Sequence, residues 1–286
     1  MRGAAAPDAV EPARSDGAIT NPKPWIQRRG TGTPLVIIHG NGVDHRLLLP
    51  LDPCLATPGD WERIYLDLPG FGKTAALEEP GGLPELLHWL RGTISDLVGH
   101  EEFALLGNSL GGLLAGRIAS MFGGQVLGLA LLAPVVHPRQ RDRRVPLRSI
   151  LHRDPGFLQS LDPSDAHEFE QMTVYQSAES WAAFRDTALP GIRTADTAAG
   201  IRLARGYRLD DEVGPDTPPL TCPTLILTGR QDHIVGFEDQ IGLLQRYPHA
   251  TYMALDGAGH NVHLDQPGPV DILLKDWIRR IRQAAF

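Results

Sequence analysis

Six short β-branched or leucine-rich runs, each closed by a turn, constrain this chain more than anything else in it. Residues 35–38 end at His39-Gly40, 63–66 at Asp67-Leu68-Pro69-Gly70, and 103–106 at Gly107. Residues 126–132 end at Ala133-Pro134, 224–227 at Thr228-Gly229, and 251–255 at Asp256-Gly257. Strands that are apolar on both faces must be covered on both faces, as in a parallel sheet between helices. Stretches of helical period lie between them at 84–98, 110–121, 237–247 and 269–282. In the last, Val270, Leu273, Leu274, Trp277, Ile278 and Ile281 form one stripe that would lie against the sheet. This alternation predicts an α/β architecture with a mostly parallel central sheet flanked by helices. The length of 286 residues is enough to bury a sizeable core.

One segment interrupts the alternation. Between 136 and 219 no clean buried strand occurs, and so long a stretch cannot be a bare loop. We read it as a helical insertion, which divides the chain into core segments at 25–135 and 220–286. The insertion opens on a basic run in which Arg139, Arg141, Arg143, Arg144, Arg148 and Arg153 face a single acid, Asp142. These arginines could meet an anionic substrate group, although a solvated face is the commoner use of such a run. Phe157, Phe169, Tyr175, Trp181 and Phe184 follow, at spacings more typical of packing than of a pocket lining. Residues 1–24 mix Ala and Pro with Asp8, Glu11 and Asp16 and read as a disordered leader.

The strongest chemical signal is Gly107-Asn108-Ser109-Leu110-Gly111, which directly follows a strand and opens a helix. This is the G-x-S-x-G arrangement of a nucleophile elbow, in which a sharp turn lifts the serine hydroxyl above the sheet. Its glycines are required because side chains there would collide with the neighbouring strand and helix. A serine hydroxyl needs a base, and the base needs an orienting acid. Asp232, after the run ending at Leu227, and His260, after the run ending at Leu255, supply them in the chain order Ser, Asp, His. His233 competes for the role of base, but His260 sits between glycines in a loop able to reach across. The run ending at Leu132 offers no carboxylate as an alternative acid. For the developing oxyanion, the backbone N–H of Asn41, with Gly42 as the alternative, converges with that of Leu110. Gly42 and Asn108 are also candidate substrate contacts.

Other chemistries are weaker. His263 could pair with His260 at a metal, but no third ligand stands nearby at ligand spacing and HExxH is absent, so no metal and no cofactor are expected. The sequence 67–74 ends Gly72-Lys73-Thr74 as a phosphate loop does. It carries Asp67 where that loop needs glycine, however, and Pro69 removes an N–H. Asp67 reads instead as a structural carboxylate that accepts backbone hydrogen bonds. With 27 Lys and Arg against 34 Asp and Glu, the net charge of −7 disfavours nucleic-acid binding. Two cysteines, Cys54 and Cys222, make no disulfide framework. No run is long enough to span a bilayer. The expectation is a cytoplasmic protein, with no membrane association, acting as a monomer or homodimer on a small molecule.

Together, His39-Gly40, Asp67-Leu-Pro-Gly-Phe-Gly72, the elbow, Asp232 and His260 resemble the α/β-hydrolase superfamily over nearly the whole chain. The resemblance implies the α/β-hydrolase fold, with residues 136–219 as an inserted helical cap over the site. It implies a carboxylesterase-like serine hydrolase acting on an ester or related acyl bond. The elbow is also similar to that of carbon–carbon bond hydrolases of meta-cleavage products, which makes hydrolysis of a vinylogous diketone the alternative. Those enzymes carry Trp after the histidine where this chain has Asn261, and Gly-Pro-Gly where it has Gly42-Val43-Asp44. A slow-turnover ligand-binding protein on the same fold is a further alternative.

Overall fold

In the computed structural model, which describes residues 21–56, 61–209 and 218–284, the apolar runs pair into a seven-stranded sheet. The chain enters through β1 (Ile26–Arg29) and β2 (Thr33–Ile38), then a 3-10 turn at His45–Leu51 and the short α1 (Asp52–Ala56). Next come β3 (Trp61–Leu66), α2 (Leu83–Val98), β4 (Phe103–Asn108), α3 (Leu110–Phe122) and β5 (Val126–Leu132). Between β5 and the next sheet strand lie the two-residue β6 (His152–Arg153), α4 (Pro155–Gln159), α5 (Pro163–Met172) and β7 (Tyr175–Gln176). Then follow α6 (Ala178–Thr187), α7 (Leu189–Thr194) and α8 (Thr197–Arg205). The chain closes with β8 (Thr224–Gly229), β9 (Ala250–Leu255), α9 (Val262–Asp265) and α10 (Pro267–Ala284). The main sheet runs β1-β3-β2-β4-β5-β8-β9, and every pairing except β1 with β3 is parallel.

The unbroken apolarity of the strands produces two cores. Val36 and Ile38 of β2 face α2 and α3 together with Ile64, Leu105 and Leu129. Leu35 and Ile37, one residue out of phase, face α1 and α10 with Tyr65, Leu106 and Leu132. Each large side chain so buried contributes about 1.5–3 kcal/mol. In α10 the buried positions are Val270, Leu274, Trp277, Ile278 and Ile281, with Leu273 at the margin. A third, smaller core joins Leu158, Phe169, Phe184 and Leu189 of the helices after β5 to Leu47.

The sequence did not announce β1. It is a polar edge strand, and Arg28 and Arg29 on it reach Glu62 and Asp52; charged edges of this kind discourage further pairing. The helix expected at 237–247 is a 3-10 segment at Asp239–Gln245. Gly242 at its centre weakens helix propensity, and the buried Gln240 amide donates to the carbonyl of Pro134. Of the expected leader, residues 1–20 lie outside the described residues, and the Pro22 carbonyl accepts a hydrogen bond from Trp89 Nε1. Among the described residues no helix is long and apolar enough to cross a membrane.

Candidate active site

Strand register brings the site together. Ile38 lies beside Gly107, Asn108 beside Leu132, Leu132 beside Leu227, and Gly229 beside Leu255. The turns after β2, β4, β5, β8 and β9 therefore share the carboxyl-end rim of the sheet, where open α/β sheets bind ligands. At this rim Ser109 has φ 54° and ψ −116°, a region side-chain-bearing residues rarely occupy. Several bonds hold it there. Its N–H donates to the Leu132 carbonyl, and its own carbonyl accepts from Gly112, Leu113 and Val135. A Cβ at Gly111 would strike the carbonyls of Ile38 and His39, and one at Gly107 would strike Gly111. The close packing of β2, elbow and α3 accounts for both glycines.

His260 reaches Ser109 because the loop after β9 folds back over the end of β8. Gln231 N–H donates to the Ala258 carbonyl, and Ala258 N–H donates to Gln231 Oε1. The loop delivers His260 Nε2 to 2.9 Å from Ser109 Oγ, while Nδ1 lies 2.8 Å from Asp232 Oδ2. A carboxylate can only accept, so Nδ1 carries the hydrogen and Nε2 is free to accept from the serine hydroxyl. Asp232 is fully buried. Its other oxygen, Oδ1, accepts from the N–H groups of Ile234 and Val235 at 2.8 and 3.0 Å. His233, the competing base, lies beside Asp232 in sequence, but the Asp232 carboxylate is turned to His260.

The turn at His39–Asn41 abuts the elbow. A Cβ at Gly40 would lie 2.9 Å from Asn108 Oδ1 and 3.1 Å from Ser109 Cβ. His39 fixes this turn: Nδ1 donates to the Gly40 carbonyl at 2.7 Å, and Nε2 accepts from Leu68 N–H at 2.9 Å. Burial lowers its pKa, in keeping with that neutral, doubly used ring. Asn41 shares a cavity with Ser109 and His260. The Leu110 N–H, first in α3, has no acceptor within its helix. The two candidate substrate contacts fall elsewhere. Asn108 is buried with its amide donating to the Leu132 carbonyl, which makes it a brace for the elbow. Gly42, at φ 75°, has open space in place of a side chain and does not line that cavity.

Asp67 fills the loop that resembles a phosphate site. It accepts from the N–H groups of His45 and Lys73 and pairs with His45 Nδ1 at 2.8 Å. Burial works to raise its pKa, but these hydrogen bonds outweigh burial and hold the carboxyl below its ordinary range. Asp44, His45 and Asp67 form the one cluster of metal-ligand type among the described residues. Its charges are already met, since Arg46 grips Asp44 through Nε and Nη2. His263 and His260 have no third ligand with them among the described residues. Nε2 of His263 donates to the Leu47 carbonyl at 2.9 Å, and burial pushes the pKa of this ring down to about 4.

The loop bearing His260 is tied down by Asp265, whose Oδ2 accepts from Gly259 N–H at 2.8 Å. Burial, with the nearby Asp232 charge, pushes the Asp265 carboxyl up to about 7. The unfolded value is about 3.9, so the folded protein holds this proton more tightly than the unfolded chain. Stability should therefore fall as pH rises between these two values, with the full penalty present above about 7. Asp265→Asn keeps the acceptor for Gly259 but cannot ionise. Its unfolding midpoint should gain on the wild type by about 5–10 °C between pH 5 and pH 8. Melts across that range decide the point, and a difference that does not change with pH would contradict it.

Ser109 and His260 open onto a cavity of about 650 Å³. Val135, Met172, Tyr207 and Ile234 give it apolar wall, while Arg139, Gln140, Arg143, Arg205 and Arg208 give it polar wall. Phe157, Phe169, Trp181 and Phe184 pack against one another instead of lining it.

A model of the alpha/beta hydrolase family matches residues 35–271. The pimeloyl-[acyl-carrier protein] methyl ester esterase of Legionella pneumophila is 36% identical over 275 residues, covering 89% of this chain and 98% of the relative. The (E)-2-((N-methylformamido)methylene)succinate hydrolase of Acinetobacter baylyi is 25% identical, covering 87% and 92%. Among solved structures, an alpha/beta superfamily hydrolase from Oenococcus oeni superposes with a TM-score of 0.82 at 25% identity, covering 91% of this chain and 96% of that one.

Proposed function

This chain belongs to the alpha/beta hydrolase family, and from that premise we propose that it is a serine hydrolase cleaving an ester or related acyl bond of a small molecule. The observation that carries the reading is one imidazole within hydrogen-bond distance of both the Ser109 hydroxyl and the buried Asp232 carboxylate. Ser109 Oγ attacks the carbonyl carbon as its proton passes to His260 Nε2. The imidazolium then returns the proton to the departing alcohol as the carbon–oxygen bond breaks. Water, deprotonated by the same nitrogen, releases the acid and restores the serine.

Asp232 keeps Nδ1 protonated and stabilises the imidazolium. The N–H groups of Asn41 and Leu110 receive the oxyanion, and each donor of this kind is worth about 3–4 kcal/mol in the transition state. The chemistry uses only these side chains and backbone groups, and no cofactor. Helices α4 to α8, inserted between β5 and β8, serve as the cap over the site. The ester named for the Legionella pneumophila relative supports the choice of bond.

Treatment with a fluorophosphonate should add one phosphonyl group, mapped by mass spectrometry to Ser109. The same protein should hydrolyse a short 4-nitrophenyl ester within a panel that also holds lactones, thioesters and a vinylogous diketone. Labelling at another residue, or no adduct and no turnover, would overturn the assignment. Consumption of the diketone alone would move the reaction to a carbon–carbon bond.

A further inference from the structure

Four arginines line the cavity above Ser109, and among the described residues no carboxylate lines it. Arg139 and Arg143 come from the segment after β5, and Arg205 and Arg208 from the end of α8 and just beyond. Two stretches about sixty residues apart in sequence thus line the same cavity. The chain as a whole carries a net charge of −7, so this lining runs against the charge of the protein that builds it.

Several surface arginines elsewhere find carboxylates: Arg153 meets Glu170, Arg193 meets Asp165 and Arg279 meets Asp276; others, such as Arg148 and Arg202, bind backbone carbonyls. The cavity arginines meet no carboxylate among the described residues. Arg143 is held by the carbonyls of His137, Pro138 and Ile234 at 2.8, 2.8 and 3.1 Å, with the Tyr207 phenol beside it. Its positive charge is therefore fixed in place without a counter-charge. Arg139, Arg205 and Arg208 are exposed at the cavity and make no side-chain ion pair among the described residues. The acids Asp210, Asp211, Glu212 and Asp216 follow in sequence and lie outside the described residues. A concave wall of one sign focuses potential and raises the local concentration of the opposite charge. Guanidinium groups suit the planar oxygens of carboxylate and phosphate.

Resting on the hydrolase reading above, we propose that the substrate is an amphiphilic anionic ester. Its reacting carbonyl lies at Ser109, its apolar portion along Val135, Met172 and Ile234, and a carboxylate or phosphate meets Arg139, Arg205 and Arg208 within the field of Arg143.

The test compares matched esters. The 4-nitrophenyl half-ester of adipic acid carries a carboxylate on the acyl side, and its methyl-capped diester does not. Phenyl acetate with and without a para phosphate asks the same of the alcohol side. The wild type should favour the charged member of at least one pair in kcat/KM by about ten- to hundredfold. Most of the gain should lie in KM, and it should shrink as salt rises. In the triple variant Arg139→Gln, Arg205→Gln, Arg208→Gln the ratio should collapse toward one, while lysine at the same positions should retain part of it.

Calorimetry of adipic acid monomethyl ester against its dimethyl ester, on Ser109→Ala protein, reads the same preference without turnover. Failure of the chemistry is thereby kept apart from failure of the charge reading. A wild type with no preference for the anion in either readout would overturn the proposal. So would a preference that appears only after Asp210, Asp211, Glu212 and Asp216 are changed to amides, since the arginines would then serve those acids.

Discussion

Ser109→Ala should lower kcat for a 4-nitrophenyl ester by about 10⁴- to 10⁶-fold, the range seen when a hydrolytic serine is removed, while leaving the fold intact. The residue does two separable jobs. Its backbone sits at φ 54° and is fixed by bonds to Leu132, Gly112, Leu113 and Val135, all made through main-chain atoms that alanine keeps. Among the described residues its hydroxyl makes one hydrogen bond, with His260 Nε2. Removing the oxygen therefore deletes the nucleophile and one hydrogen bond, and the unfolding midpoint should move by only about 2–4 °C. Loss of fluorophosphonate labelling should accompany the loss of rate. A variant that keeps more than a tenth of the wild-type rate would show that another group attacks the substrate.

Most of the sheet was legible in the sequence because its central strands had to be apolar on both faces. Leu35 and Val36 point to opposite cores, and no polar residue could have stood at either place. The elbow was legible for a similar reason, since backbone crowding leaves only glycine at Gly107 and Gly111. Strand β1 was not, because an edge strand with one covered face needs no apolar run. Asn108 misled because its place beside Ser109 suggests access to substrate, whereas the pleat directs its side chain inward to the Leu132 carbonyl. The arginines at the cavity were only half legible: the basic run at 139–153 suggested contact with an anionic group, with a solvated face as the commoner use. Nothing in the chain marked Arg205 and Arg208 as sharing a cavity with Arg139 and Arg143.

Asp232→Asn should cost about 10⁴-fold in kcat with little change in stability, and the reason lies in the second oxygen of the carboxylate. Oδ1 accepts from Ile234 and Val235 N–H, so an asparagine must keep its carbonyl oxygen there; turning the amide would set NH₂ against two buried donors. The NH₂ is thus forced to the position of Oδ2, facing His260 Nδ1. An amide nitrogen can only donate, so Nδ1 must become the acceptor and the ring hydrogen moves to Nε2. That nitrogen then points a hydrogen at Ser109 Oγ and cannot take its proton. Alanine at the same position should lose a similar factor in rate. It should also lose stability, because it orphans the two N–H groups of Ile234 and Val235 at about 1–3 kcal/mol each. Steady-state rates on one ester, set beside melts of both variants, separate these outcomes. A loss of under tenfold in the asparagine variant would mean that another carboxylate orients the imidazole. Asp265, bound to the N–H of the residue before His260, would then be the one to remove.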